Sequence, residues 1–321
     1  RSGATFVYEK LPEGRRPVSV LVDTEPVAGV SDPVAVTQQQ MNRWNDGEGA
    51  LSPFGLAQSG GPYNGDTVGQ TFGTFTNSTY EVAWDDTGDI FRHFGVSASV
   101  LGITLKTVDA GSGSLLDFLV VINTSPGALS APGTGATAEE LFRGTLLHEL
   151  GHATGMGHSP VGMVNANSFG LEPAAPTQIP SMYPFRLPIQ PQAGADLERD
   201  DVAALIFSYP ESTDGLGSIS GSVRSASGAP INELAVRAVG PQEGDIGHVG
   251  ILTNGDGSGQ GRFRIPNLEP GRYRVLIEAV NGRSGVDSEV IAGGPTDLGA
   301  AAFLLAQDEY YQPTDSYDPA A

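Results

Sequence analysis

The sequence predicts an α+β fold in the first two thirds of the chain and an all-β domain in the last third. Strand-like and helix-like segments alternate in the first part, whereas only strand-like segments follow the turn-rich stretch 211–217. A chain of 321 residues is long enough for two domains. We therefore expect domains at 1–210 and 218–306, a linker at 211–217, and an acidic disordered tail at 307–321.

The composition excludes several classes of protein and site. Aspartate and glutamate number 37 against 17 lysines and arginines, for a formal net charge of −20, so a nucleic-acid or anionic-lipid partner is not expected. No apolar run approaches the roughly 18 residues that a membrane-spanning helix needs. Cysteine is absent, which excludes disulfides, thiolate zinc sites and cysteine nucleophiles. We expect a monomer with a solvated acidic surface.

The N-terminal segments alternate between strand and helix patterns. Residues 17–23 predict a strand, because they are rich in β-branched residues and bounded by turn formers. Residues 33–46 predict an amphipathic helix capped by Asp32. The stretch 47–79 is dominated by Gly, Ser, Asn, Thr and Pro, and an irregular connection is expected there. Three further strands are predicted at 80–84, 99–108 and 116–123, and the last, nearly all apolar, is expected inside a sheet.

The clearest helix signal covers residues 138–154. Thr137 is suited to cap this helix, and Glu140 completes a capping box with it. Gly155 is suited to end the helix in a left-handed turn. A second, shorter helix is predicted at 197–208 from its apolar spacing.

Three of the chain's five histidines lie within one short segment, which reads His148-Glu-Leu-Gly-His152-Ala-Thr-Gly155-Met-Gly-His158. His148 and His152 are four residues apart, so on a helix their imidazoles project from one face and can bind one metal ion. The turn at Gly155 lets the chain bring His158 back as a third ligand. Three nitrogen ligands with one open position are typical of catalytic zinc.

Glu149 is the residue of this segment that fits a chemical role. It lies near the expected metal but off the histidine face, so it is placed to hold a water molecule. The alternative is a surface helix on which three histidines occur by chance. That alternative is disfavoured, because the glutamate and the glycine accompany the histidines at their expected spacings.

The segment resembles the signature of the metzincin metalloproteases, and within them the matrixin branch. Ser159 follows the third histidine, as in matrixins, and Ser181-Met182-Tyr183-Pro184 resembles the matrixin Met-turn. Asp200-Asp201-Val202 resembles the acidic start of the matrixin C-terminal helix, and the apolar strand ending at Ile122-Asn123 fits the strand before the active-site helix.

This resemblance implies a metzincin-type catalytic domain, with a twisted, mainly parallel sheet, an active-site helix and a C-terminal helix. It implies one catalytic zinc, whose ligands are His148, His152 and His158. Glu149 is then the catalytic general base, with Gly155 and Met182 as structural support and Met182 beneath the metal. The Gly-rich stretch 109–117 reproduces the family's calcium loop poorly. Calcium binding is therefore an open alternative and not an expectation.

Residues 218–306 resemble carboxypeptidase-regulatory-like, prealbumin-type β-sandwich modules. The resemblance rests on Gly221-Ser-Val, on Gly228-Ala-Pro-Ile and on the run from Gly261. Residues 261–279 alternate apolar and polar side chains around Pro270-Gly271, which predicts a hairpin. Such modules act as spacers, stabilisers or weak binding domains. The module is therefore expected either to bind substrate or cell-surface material, or to be a rigid appendage without a ligand.

Together these features predict a zinc-dependent endopeptidase that hydrolyses extracellular proteins bound in an extended conformation. It is expected to be secreted or displayed at the cell surface, in a bacterium. The main alternative is a surface adhesion or binding protein built on a non-proteolytic metalloprotease-like scaffold. Retention of Glu149 argues against that alternative, because metal binding alone does not require it. A zinc hydrolase acting on a non-protein substrate is a third alternative, with no positive feature in the sequence.

Overall fold

The computed structural model describes twelve stretches of the chain. These are residues 10–47, 49–60, 80–109, 112, 114–130, 136–159, 180–182, 197–232, 234–240, 249–252, 260–279 and 309–310. A five-stranded sheet lies in the N-terminal part, and two smaller sheets lie in the C-terminal part. Within these stretches, no helix has both the length and the apolar character needed to cross a membrane.

The large sheet is mostly parallel. Its strands are β1 (Val18–Val22), β2 (Phe54–Ser59), β3 (Tyr80–Asp85), β4 (Gly102–Val108) and β5 (Leu115–Asn123). They lie in the order β2-β1-β3-β5-β4, and only β4 runs antiparallel to its neighbour. The apolar strand β5 lies inside the sheet, between β3 and β4, and is almost entirely buried, as its composition predicts. The arrangement fits the predicted α+β layout.

In the described residues, four α-helices accompany this sheet: α1 (Pro33–Asn45), α2 (Asp89–His93), α3 (Ala138–Ala153) and α4 (Arg199–Ser208). The Asp32 carboxylate accepts a hydrogen bond from the Ala35 amide at the start of α1. Thr137 and Glu140 form the predicted capping box at the start of α3. Both predicted helix starts are therefore confirmed.

Helices α1 and α3 pack on one face of the sheet, and α2 packs on the other. The first face forms the main core, in which the indole of Trp44 donates a hydrogen bond to the Leu147 carbonyl oxygen of α3 at 2.9 Å. The second face buries Ile90 and Phe91 of α2 against β3 and β5. Helix α3 contacts this core on one side and the edge strand β4 on the other, and these contacts together fix its position.

The predicted irregular connection at 47–79 is wrong at β2, which pairs in parallel with β1. β2 is the other edge strand of the sheet, and Leu56 on it is 64% exposed. An edge strand with an exposed face needs few apolar residues, so its composition resembles that of a loop. The remainder of the predicted connection, 61–79, lies outside the described residues.

In the described residues of the C-terminal part beyond α4, all the regular elements are strands. They are β6 (Gly217–Ser222), β7 (Leu234–Val239), β8 (Val249–Leu252), β9 (Arg262–Leu268), β10 (Arg274–Ala279) and β11 (Glu309–Tyr310). One sheet has the order β11-β10-β7-β8, and β6 pairs with β9 in the other. Apolar side chains from both sheets meet in one core, which fits a β-sandwich. β11 lies in the tail for which disorder was predicted, and the rest of that tail is outside the described residues.

The predicted hairpin over 261–279 is also wrong. β9 pairs with β6, whereas β10 pairs with β7, so the turn at Pro270-Gly271 connects one sheet to the other. Alternation of apolar and polar residues shows that each strand buries one face, but it does not show which strand lies beside it. In a sandwich, consecutive strands in different sheets can cover the same core.

The β-sandwich packs directly on α4. Ala203 of α4 is buried in the sandwich core, and its carbonyl oxygen accepts a hydrogen bond from the Asn267 side chain at 2.9 Å. Arg199 at the start of α4 lies 3.3 Å from the Glu269 carboxylate. The helix that ends the N-terminal part is therefore shared between the two parts.

Candidate metal centre

The three histidines of the motif meet at the C-terminal end of α3. The Nε2 atom of His152 lies 3.1 Å from that of His148 and 3.1 Å from that of His158. Gly155 has a φ of 95°, and this left-handed turn lets the chain fold back so that His158 reaches the helix. Among the described residues, these histidines are the one group of potential ligands placed to hold a metal ion.

The hydrogen bonds of two imidazoles determine which nitrogen faces the centre. His148 Nδ1 lies 2.6 Å from the Ser181 carbonyl oxygen, and His152 Nδ1 lies 2.8 Å from that of Met156. A carbonyl oxygen only accepts hydrogen bonds, so each Nδ1 carries the proton and each Nε2 directs a lone pair at the centre. Lone pairs this close repel one another, so the arrangement fits a bound cation.

The protonation states of these imidazoles agree with a ligand role. Burial, together with the nearby His158, lowers the pKa of His148 to about 4. Burial and the two neighbouring histidines also lower the pKa of His152 well below its usual value. Neutral imidazole is the form that binds metal ions, so these two histidines need no deprotonation at neutral pH. The donor set therefore fits zinc.

Met182 lies beneath α3, against the backbone of Gly151. Met182 is buried, and a Cβ atom added at Gly151 would lie 2.2 Å from its sulfur and 2.7 Å from the Trp44 ring. The Met182 carbonyl oxygen accepts a hydrogen bond from the Ser159 amide, next to His158. The segment Ser181-Met182, called here the methionine segment, thus contacts both the helix and the turn that carry the histidines.

Helix α4 holds the methionine segment through Asp201. The carboxylate accepts hydrogen bonds from the amides of Ser181 at 2.8 Å and Met182 at 3.1 Å, while the neighbouring Asp200 accepts one from the Ser159 hydroxyl. Burial and the adjacent Asp200 raise the pKa of Asp201 to about 7, against the lowering effect of its amide donors. Asp201 is only 1% exposed, so it forms part of the support of the site and is not a solvated charge.

The Glu149 side chain extends from α3 against β4. The residue is 5% exposed, and its Oε2 atom accepts a hydrogen bond from the Thr104 hydroxyl at 2.7 Å. Burial raises the pKa of Glu149 to about 7. A Cβ atom at Gly102 would lie 2.6 Å from the Glu149 side chain, so the backbone of β4 closely flanks this carboxylate.

The structure brings together the residues that the sequence singles out. The three histidines converge, Gly155 makes the turn, Met182 lies beneath the helix, and Glu149 lies beside β4. Sequence reasoning did not identify Thr104, Gly102 and Gly151. It placed Asp201 at the acidic start of a helix, where the carboxylate accepts a hydrogen bond from the Glu198 amide, but it did not predict the hydrogen bonds from Ser181 and Met182. Gly151 lies within the histidine motif. A glycine inside a predicted helix was the one signal available in the sequence, because glycine disfavours the helix. The others act through contacts between distant segments, for which a single sequence carries no signal.

Comparisons with known proteins match the two parts of the chain separately. The profile of the family described as Peptidase M66 matches residues 121–171, which include the histidine motif. The profile described as a carboxypeptidase regulatory-like domain matches residues 218–302. A search of curated proteins finds no match. The two profiles support a peptidase of metallopeptidase type with a C-terminal β-sandwich.

Substitution of Asp201 by asparagine tests the support that α4 gives to the methionine segment. Both carboxylate oxygens accept amide hydrogen bonds, and asparagine offers only one oxygen, so at least one buried donor loses its partner. We expect the free energy of unfolding to fall by about 1–3 kcal/mol and zinc to dissociate faster. Asp214→Asn, at an exposed carboxylate, is the control. Equal denaturation midpoints and zinc release rates for the two variants would contradict this role.

Proposed function

We propose that the protein is a zinc-dependent endopeptidase with a metzincin-type catalytic domain that acts on extracellular proteins. The observation that carries the proposal is the convergence of three histidine Nε2 atoms. The buried residue Glu149 follows His148 on the same helix. The Peptidase M66 match over the same segment supports the peptidase class. Secretion or surface display by a bacterium is proposed from the metzincin and regulatory-domain resemblances alone.

In the proposed mechanism, the three histidines bind the metal ion and Glu149 transfers protons. His148, His152 and His158 would hold the zinc, which when bound lowers the pKa of a water molecule and polarises the scissile carbonyl group. The Glu149 carboxylate accepts the proton of the attacking water and then delivers it to the leaving amine.

The substrate is proposed to lie extended along β4. This strand is an edge strand of the described sheet. Its residues Gly102 and Thr104 contact the Glu149 side chain. An extended peptide can add to such an edge through main-chain hydrogen bonds, with side-chain pockets giving selectivity. The scissile bond would then pass close to Glu149 without rearrangement of the sheet.

Metal removal tests the proposal as a whole. We expect the purified chain to contain about one zinc ion, as a three-histidine catalytic site requires, and to cleave an unstructured protein such as casein. A chelator should abolish cleavage, and added zinc should restore it. Mass spectrometry of the fragments should show internal cleavage. Cleavage by protein shown to be metal-free would contradict the proposal.

A further inference from the structure

We infer that Thr104 is a positioning residue that fixes the orientation of the Glu149 carboxyl group. The inference rests on the proposed peptidase function. The Thr104 hydroxyl oxygen lies 2.7 Å from Glu149 Oε2 and 2.9 Å from the main-chain oxygen of the same residue. Thr104 belongs to β4 and Glu149 to α3, so the contact joins the edge strand to the active-site helix.

The Thr104 hydroxyl contacts two oxygens of the same residue. A threonine hydroxyl has one proton to donate and lone pairs that accept. It lies within hydrogen-bond distance of the Glu149 Oε2 atom, at the end of the side chain, and of the Glu149 main-chain oxygen, in the backbone of α3. The contact therefore ties the carboxyl group to its own stretch of helix, and a rotation of the carboxyl group would break the bond to Oε2.

On the β4 side of Glu149, the Thr104 hydroxyl makes the polar contact with the carboxyl group, and Gly102 makes the close steric contact. Gly102 approaches the Glu149 side chain so closely that a Cβ atom would lie 2.6 Å from both Cγ and Oε1. The β-branched side chain of Thr104 has restricted rotation about χ1, so its hydroxyl is held in a defined direction. A carboxyl group confined in this way stays aligned for the second proton transfer, to the leaving amine.

Three substitutions separate positioning from structure. Thr104→Val keeps the shape but removes the hydroxyl, Thr104→Ser keeps the hydroxyl, and Thr213→Val makes the same change at an exposed position outside the sheet. We expect Thr104→Val to lower kcat about 10- to 100-fold with little change in KM, because a positioned general base contributes about 10²–10⁴-fold. Thr104→Ser should recover most of kcat, and Thr213→Val should match wild type.

Thermal unfolding of the metal-free proteins gives a readout independent of activity. Thr104→Val should lower Tm more in the wild-type background than in Glu149→Ala, because only the former has a carboxyl partner to lose. An active wild type whose kcat is unchanged by Thr104→Val would overturn this inference alone. So would a Thr104→Ser variant as slow as Thr104→Val, or additive Tm shifts. A zinc-loaded wild type that cleaves no peptide would overturn the proposed function, and the catalytic role of Thr104 with it.

Discussion

Replacement of Glu149 by alanine should lower kcat/KM for peptide cleavage by about 10²–10⁴-fold, which is the contribution of a positioned general base. The bound zinc should remain, because the three histidines and their hydrogen bonds to Ser181 and Met156 are unchanged. The measurement is steady-state cleavage of a quenched fluorescent peptide, with metal analysis of the same samples.

Glu139→Ala on the same helix provides a matched control. Glu139 lies in the first turn of α3 and pairs with Arg143 at 2.7 Å, remote from the histidines. A partly exposed pair of this kind contributes little stability, so near wild-type activity is expected. Equal cleavage by Glu149→Ala and wild type would contradict the mechanism. Zinc-loaded wild type without cleavage would favour the binding-scaffold alternative.

Substitution of Gly151 by alanine should destabilise the protein, although alanine is the better helix former by about 1 kcal/mol. The added Cβ atom would lie 2.2 Å from the Met182 sulfur and 2.7 Å from Trp44. Trp44 cannot move freely, because its indole nitrogen is hydrogen-bonded to Leu147. Overpacking of this kind costs about 1–3 kcal/mol, so Tm should fall and zinc should be held less tightly.

Gly157→Ala is the control for this steric argument. Gly157 is exposed, and a Cβ atom there meets no atom of the described residues within 4 Å, so the same substitution six residues later should leave the free energy of unfolding nearly unchanged. Chemical denaturation of both variants, with and without a chelator, measures the difference. A Gly151→Ala protein as stable as Gly157→Ala, with full zinc content, would show that Met182 does not pack against this helix position.

The features that were predictable from sequence are those determined by neighbouring residues. The start of α3 is predictable from the capping box of Thr137 and Glu140, which are three residues apart. The shared face of His148 and His152 is predictable from their spacing of four residues. The turn at Gly155 is equally local.

The features that were missed depend on segments far apart in the chain. Strand β2 exists because it pairs with β1, although its own composition resembles a loop. β9 and β10 show the expected alternation, yet their partners lie in different sheets. In the site, the Thr104 contact spans 45 residues. No local pattern encodes such pairings, because many distant residues could satisfy the same hydrogen bond.

A crystal structure of the zinc-loaded protein, with anomalous diffraction measured at the zinc edge, tests the metal centre most directly. We expect one strong anomalous peak at about 2.0–2.1 Å from the Nε2 atoms of His148, His152 and His158. No fourth protein side chain should bind the metal, so that one position stays open for water or substrate. Absence of this peak from zinc-loaded crystals, or a fourth protein ligand closing the site, would contradict a catalytic three-histidine zinc centre.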